Sequence, residues 1–360
     1  MTQETAHASM LTLARESRGM TQTALAHAMS DLAGEPISQG YVSKAETGRL
    51  AVEGDRLSVY ALALGYPPAL LQLNADLTGI GIGLVHHRKK AALGAHALRR
   101  IHAQLALSRL QTQRLLRALP ADPTLHRFEH IAVNDLDTPT EAAQTLRKLW
   151  EVPAGPIIHL IRMIEGAGGL ILVRDLESRG LDAVSQWNGA ERPLFLLGAH
   201  APADRFRFSL AHELGHVIMH PEPGTTPQQE RQADEFASEF LMPAADVGGE
   251  LSSGLDLSRL QILKRRWGVS MAAVARKALT LAAISEWQYR NLMIEMSTLG
   301  YRTHEPGVIP RELPHAVPAA AQRLVAEHGL DHAAVIAGLL PEEFARLLLP
   351  HPGSPDPNPA

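Results

Sequence analysis

The chain contains no cysteine. That excludes disulfide bonds, thiolate-held metals and thiol catalysis together, and it is compatible with a reducing cytoplasm. No secretory leader is expected, since residues 1–10 read MTQETAHASM, with neither a basic start nor an apolar stretch. No apolar run is long enough for a bilayer: the most apolar one, Ile157 to Val173, is broken by His159, Arg162 and Glu165. A cytoplasmic location is therefore expected. There is no internal repeat. Acidic residues are absent from one long segment: between Asp76 and Asp122 there is none, whereas Arg88, Lys89, Lys90, Arg99, Arg100, Arg109, Arg114 and Arg117 all fall there. The rest is ordinary for a folded protein, with 45% hydrophobic and 20% charged residues in 360, enough for two or three domains.

Turn signals and composition divide the chain. Residues 1–75 read as short helical patterns separated by Gly-containing turns, and 76–120 as a basic linker helix, helical from Val85 to Leu119 and closed by Pro120 and Pro123. Residues 121–250 are mixed, with strands predicted at Leu170–Arg174 and Leu194–Leu197. Residues 251–300 form a second helix-turn-helix-like module, Leu257–Arg266 and a helix to Leu279 around the turn at Trp267 to Ser270. It is decorated by Arg259, Lys264, Arg265, Arg266, Arg276 and Lys277. Residues 301–350 are helical after a Pro-punctuated crossing, and the Pro-rich tail 351–360 is expected to be disordered. The class that follows is mostly α, with a small α+β domain between an all-α N-terminal domain and a helical C-terminal region.

The chemistry concentrates between Phe208 and Pro243, FSLAHELGHVIMHPEPGTTPQQERQADEFASEFLMP. A helix carrying Leu210 onward must stop near His220, because Pro221 and Pro223 cannot continue it. On that helix His212 and His216 stand one turn apart on one face, as two imidazoles must to share one zinc ion. Glu213, beside them, is placed to take a proton from water rather than to bind metal. At this histidine content an H-E-x-x-H run arises by chance in roughly one chain in twenty, so the motif alone decides little. The following helix, Gln228 to Leu241, changes that. Glu230 and Asp234 lie at i and i+4 on it, so Glu230 can complete a set of three protein ligands and Asp234 can orient a ligating histidine. His220 reads as a structural or supporting residue, because a fourth protein ligand would close the catalytic position. Arg205 and Arg207 precede the helix without an assigned role.

These residues resemble the ImmA/IrrE family of zinc metallopeptidases, which cleave repressor proteins. The likeness is carried by RFRFSLAHELGH (Arg205–His216), the E-x-x-A-D-x-F-A run (Glu230–Ala237) and the closing Leu241-Met242-Pro243. It implies a gluzincin-like endopeptidase with zinc on His212, His216 and Glu230 and with Glu213 as general base.

Upstream, Thr21 caps a predicted helix Gln22–Met29 and Ser38 caps a second, SQGYVSKAETG, stopped by Gly48. The pair, with LARESRGMTQTALA, resembles the Cro/repressor-type helix-turn-helix, which implies DNA contacts from Gln22, Ser38, Gln39, Tyr41, Ser43 and Lys44. Gln22 and Lys44 would meet phosphates, and Gln39 and its neighbours base edges. The turn carries about six additional residues, Ser30 to Pro36, with Asp31 and Glu35 among them, and five Lys/Arg stand against seven Asp/Glu through Ala75. That balance weakens non-specific attraction to DNA. Repressor-like modules commonly read two half-sites as dimers, so a homodimer stays open. Two readings result: a zinc endopeptidase brought to DNA to cleave a repressor or other regulatory protein, or a DNA-binding regulator whose metal domain senses a signal without hydrolysis.

Overall fold

The computed structural model describes residues 5–74, 85–87, 94–120, 128–133, 138–176, 181–189, 191–221 and 226–350. The tail 351–360, Pro123 and the Arg88, Lys89, Lys90 cluster lie outside these residues. Five helices come first: α1 (Ala8–Ser17), α2 (Gln22–Ala33), α3 (Gln39–Glu46), α4 (Gly54–Leu64) and the single turn α5 (Pro68–Leu71). A strand, β1 (Val85–His87), precedes the long helix α6 (Ala95–Arg117). Then follow α7 (Pro139–Leu149), α8 (Leu160–Gly166), β2 (Leu170–Arg174), β3 (Ala183–Gln186), β4 (Leu194–Gly198), α9 (Ala203–Met219) and α10 (Pro227–Leu241). The remainder is α11 (Ala244–Leu251), α12 (Leu257–Trp267), α13 (Met271–Thr280), α14 (Glu286–Thr298), α15 (Ala316–His328), α16 (Leu330–Ala337) and α17 (Pro341–Leu348). The chain is mostly α. Among the described residues no helix is long and apolar enough to cross a membrane.

Contacts divide the chain into two units, one of residues 1–83, 91–124 and 315–360, the other of residues 84–90 and 125–314. In the first, Thr21 and Ser38 cap α2 and α3 by accepting from the amides of Ala24 and Tyr41. Helix α2 runs past Met29 to Ala33, where Gly34 at φ 68° ends it. The additional residues therefore mostly lengthen a helix instead of loosening the turn, and Ser30 ties the new end down by accepting from the Ile37 amide at 2.8 Å. Arg15 spans the module, donating to both carboxylate oxygens of Glu46 at 2.6 and 2.9 Å.

The C-terminal helices belong to this same unit. Arg18 donates to both oxygens of Glu343 at 2.6 and 2.8 Å and to the Leu64 and Gly65 carbonyls, and its guanidinium lies 3.9 Å from the Tyr66 ring centre. Arg114 of α6 donates to the Ile336 carbonyl at 2.6 Å. On one face of α6 Ile101 and Leu105 are buried and Leu98 is half-buried. The helix itself starts at Ala95, not Val85, because Val85–His87 belongs to the second unit, where it takes extended backbone and pairs with β3. Local helical pattern gives way there to tertiary pairing.

The second unit is built on a four-stranded sheet of order β1-β3-β4-β2, parallel between β2 and β4 and antiparallel elsewhere. Strand β2 has the bounds read from its apolar run, and β4 extends one residue further. Helix α9 packs on the sheet and α10 packs on α9. Residues 251–300 share this core rather than forming one of their own, through Leu260, Leu263, Trp267, Met271 and Val274. Two of their cations are consumed inside it. Lys277 is paired with Glu239 at 2.6 Å, and Lys264 with Asp204 at 2.5 Å and Glu305 at 2.9 Å, every partner nearly buried.

Glu239 also accepts from Gln144 and from the Ala244 amide. Removing it strands the Lys277 ammonium in the interior. The Glu239→Ala chain should lose about 3–5 kcal/mol of stability in this unit. Adding Lys277→Met should recover part of that loss. Urea unfolding followed by tryptophan fluorescence checks this without interference, because Trp150, Trp187, Trp267 and Trp287, the four tryptophans of the chain, all lie in the second unit.

Candidate metal centre

Helix α9 starts after Pro202, about two turns before the predicted segment, and ends at Met219, with His220 at its C-cap and Pro221 beyond. Thr226 opens α10 with a capping box to Gln229, and Pro227 occupies the first turn. These two helices bring His212, His216 and Glu230 together, three groups able to present one ligand atom each to a single ion. Nε2 of His212 and Nε2 of His216 are 3.1 Å apart. Glu230 places Oε1 3.3 Å from His216 Nε2 and Oε2 3.6 Å from His212 Nε2.

Ligands about 2.0–2.1 Å from a tetrahedral zinc stand roughly 3.3 Å from one another. The three observed separations bracket that figure. The surrounding hydrogen bonds agree with it. Nδ1 of His212 donates to Asp234 Oδ1 at 2.8 Å. Nδ1 of His216 meets Nδ1 of His220 at 2.9 Å, and Nε2 of His220 donates to Gln232 Oε1 at 3.1 Å. With Asp234 and Gln232 as the acceptors, the hydrogens are assigned to Nδ1 of both ligands, which leaves each Nε2 with its lone pair. Two imidazole lone pairs and a carboxylate converge on one point. A cation relieves their repulsion, so the residues fit a divalent metal.

Glu213 stands beside this set and is 1% exposed. Ser185 of β3 donates to its Oε2 at 2.6 Å. Burial pushes the Glu213 carboxyl up to about 7, against the lowering effects of His212 and of the Ser185 hydrogen bond. A carboxyl near neutrality in a dry site can accept and return a proton, and a bound cation would draw it further toward the ionised form.

Helix packing completes the site. A Cβ on Gly215 would meet Cδ1 of Phe236 at 2.9 Å, so only a glycine lets α10 come this close to α9. Arg207 is buried and ties α9 to the carbonyls of Ile157 and Gly268 and to Glu312. Its neighbour Arg205 pairs with Asp182 at 2.9 Å. Neither arginine faces the converging ligand atoms. Ser185 was not legible beforehand, as a small polar residue inside the apolar run AVSQW carries no signal until β3 is laid on α9. His220 and Gln232 extend the set in the same way.

Residues 11–71 match the helix-turn-helix family model, and residues 164–279 match that of Peptidase_M78, the IrrE N-terminal-like domain. The chain joins a helix-turn-helix to an IrrE N-terminal-like domain. No curated protein matches it. The pairing is that of a DNA-binding regulator joined to a protease-like domain of metallopeptidase type. The IrrE-like match includes α12 and α13, which the sequence suggested as a second helix-turn-helix, and their buried Lys264 and Lys277 are spent on internal ion pairs.

In the helix-turn-helix, Lys44 and Gln39 are exposed, Ser43, Gln22 and Tyr41 half-buried. Gln39 donates to Gln22 at 2.6 Å, and Gln22 donates to Glu46 at 2.9 Å. Tyr41 lies 6.4 Å from the Tyr60 ring and 5.6 Å from the Arg56 guanidinium. The Ser38 hydroxyl is engaged as the cap. Glu35 pairs with Arg56, so one of the two acidic groups of the insertion is neutralised, while Asp31 is exposed.

Two substitutions test the metal centre without touching a ligand. Asp234→Asn should weaken metal binding by about 10–100-fold, the usual effect of disabling the partner of a ligating histidine. Gly215→Ala should weaken it at least about tenfold by holding α10 off α9, with the secondary structure intact. Competition against a chromophoric chelator measures both. Affinities equal to wild type would exclude the arrangement.

Proposed function

We propose that this chain is a zinc-dependent, gluzincin-like endopeptidase whose helix-turn-helix brings it to an operator or promoter, where it cleaves a repressor or another regulatory protein. The observation that carries this reading is the convergence of three ligand atoms beside a buried, near-neutral carboxylate. A structural metal site has no use for such a base. His212, His216 and Glu230 hold the zinc, and Asp234 fixes the orientation of His212. Bound zinc supplies Lewis acidity to a water molecule and to the scissile carbonyl.

The protein supplies the proton transfers. Glu213 takes a proton from the attacking water and passes it to the departing amine, so that it ends each cycle ionised. Ser185 keeps the Glu213 carboxylate aimed while the proton is held. His220, held neutral because burial lowers its pKa, supports His216 from behind. At the other end of the chain, Lys44 meets a phosphate and Gln39 reaches a base edge, with Gln22 holding Gln39 in place and Ser38, Tyr41 and Ser43 shaping the surface around them.

Glu213→Gln should keep about one zinc per chain and lose about 10²–10⁴-fold in peptide hydrolysis. Profiling new protein N-termini in cells expressing either form reads both the activity and the substrate. A cut made only by the wild type names the target. Identical profiles with zinc in both forms would point instead to a metal-sensing regulator. For the DNA end, Lys44→Ala should weaken binding evenly across sequences and lower the slope of log K against log salt by about 0.9. Fluorescence anisotropy at several salt concentrations measures it.

A further inference from the structure

Strand β1 sits where the peptidase reading needs something else. It pairs antiparallel with β3 in the register Val85↔Gln186, His86↔Ser185, His87↔Val184, and so forms the outer strand of the sheet on that side. The residue opposite its middle position is Ser185, whose hydroxyl holds Glu213. The β1 backbone therefore runs about 4.8 Å from the strand that grips the proposed base. Helix α9, which carries His212, Glu213 and His216, packs against β1 as well as β3.

Extended peptides are commonly bound by adding a strand to a sheet edge, where main-chain hydrogen bonds supply affinity. One edge of β3 is taken by β4. The other is the edge along which a peptide could pass beside Glu213, and this chain's own residues lie on it. They come from between the helix-turn-helix and the IrrE N-terminal-like domain.

We propose that Val85–His87 is an intramolecular occupant of the substrate strand: polypeptide substrates add antiparallel to β3, and this segment holds the edge until it is displaced. The inference rests on the peptidase reading. Three residue pairs make a weak strand, which a longer substrate can replace. The tether compensates. At an effective concentration of about 1 mM, a segment that binds in trans with a Kd of about 100 µM depresses competitor binding roughly tenfold.

The absence of cysteine makes a direct test available. His87→Cys with Val184→Cys introduces the only two thiols at register partners, whose α-carbons in an antiparallel pair lie about 4.5–5.5 Å apart, within disulfide range. Side chains alternate along a strand, so Val184 faces away from the side on which Ser185 reaches Glu213. A second variant, Val85→Gly, His86→Gly, His87→Gly, weakens the strand instead. All chains carry Glu213→Gln, and the probe is a fluorescein-labelled peptide of residues 80–94, read by fluorescence polarisation.

The triple-glycine chain should bind the probe about tenfold more tightly than the chain with native β1. The oxidised cysteine pair should not bind it, and reduction should restore the level of the chain with native β1. Equal binding by all forms overturns the inference. So does failure of the triple-glycine chain to bind while circular dichroism shows it folded. Hydrolysis is scored separately in chains with Glu213 intact. Graded binding without any cleavage would leave strand competition standing and remove the peptidase reading. Cleavage without graded binding would do the reverse.

Discussion

The approach of α9 to α10 at Gly215 governs everything that the metal centre can do. His212, Glu213 and His216 come from one helix, Glu230 and Asp234 from the other. Separation is set by the Phe236 ring lying where a Gly215 side chain would be, with Phe240 stacked behind it at 5.5 Å. Protein interiors are too densely packed for this contact to loosen without moving the carboxylate. A shift of a few tenths of an ångström is a large fraction of the tolerance of a metal–ligand bond.

Buried charge holds the frame around that contact. Glu239 sits about two and a half turns beyond Glu230 on α10 and is fixed by Lys277 from α13. Asp204, in the first turn of α9, is fixed by Lys264 from α12. Arg207 anchors the same end of α9 to two carbonyls and to Glu312, and burial lowers its pKa to about 10, still far above neutrality. Such pairs contribute little net stability compared with an apolar core, but a helix held by them cannot rotate without exposing an unpaired charge. They fix the orientation of both helices that carry the candidate ligands. The helices after the peptidase motif thus serve the site as struts, whatever else they contact.

The helix-turn-helix is treated in the same manner by its own unit. Arg18 links it to Glu343 of the C-terminal region, and Arg15 links α1 to α3. The recognition helix α3 is short, eight residues, and takes its position from Arg15 and from Val42 and Ala45 in the core. With this acidic balance, affinity for DNA has to come from a few placed contacts more than from general attraction.

Much of this was legible along the chain, because some signals are local. Proline cannot continue a helix, a capping Ser or Thr marks a start, and two histidines four apart share a face, whatever lies elsewhere. The ends of α9 and α10 near Pro221 and Pro243, the caps Thr21 and Ser38, the strand Leu170–Arg174, the shared face of His212 and His216 and that of Glu230 and Asp234 follow from such rules. What local rules missed depended on partners distant in sequence. Ser185 acquires a role only when β3 lies on α9, and Val85–His87 becomes a strand only because β3 offers an edge. Lys264 and Lys277 look like surface charges until Asp204 and Glu239 arrive beside them. By itself the sequence determined which chemical groups share a helix face, since that is decided by the pitch of one helix. Only the tertiary structure decided which faces meet and at what distance, since that is decided by packing between segments up to hundreds of residues apart.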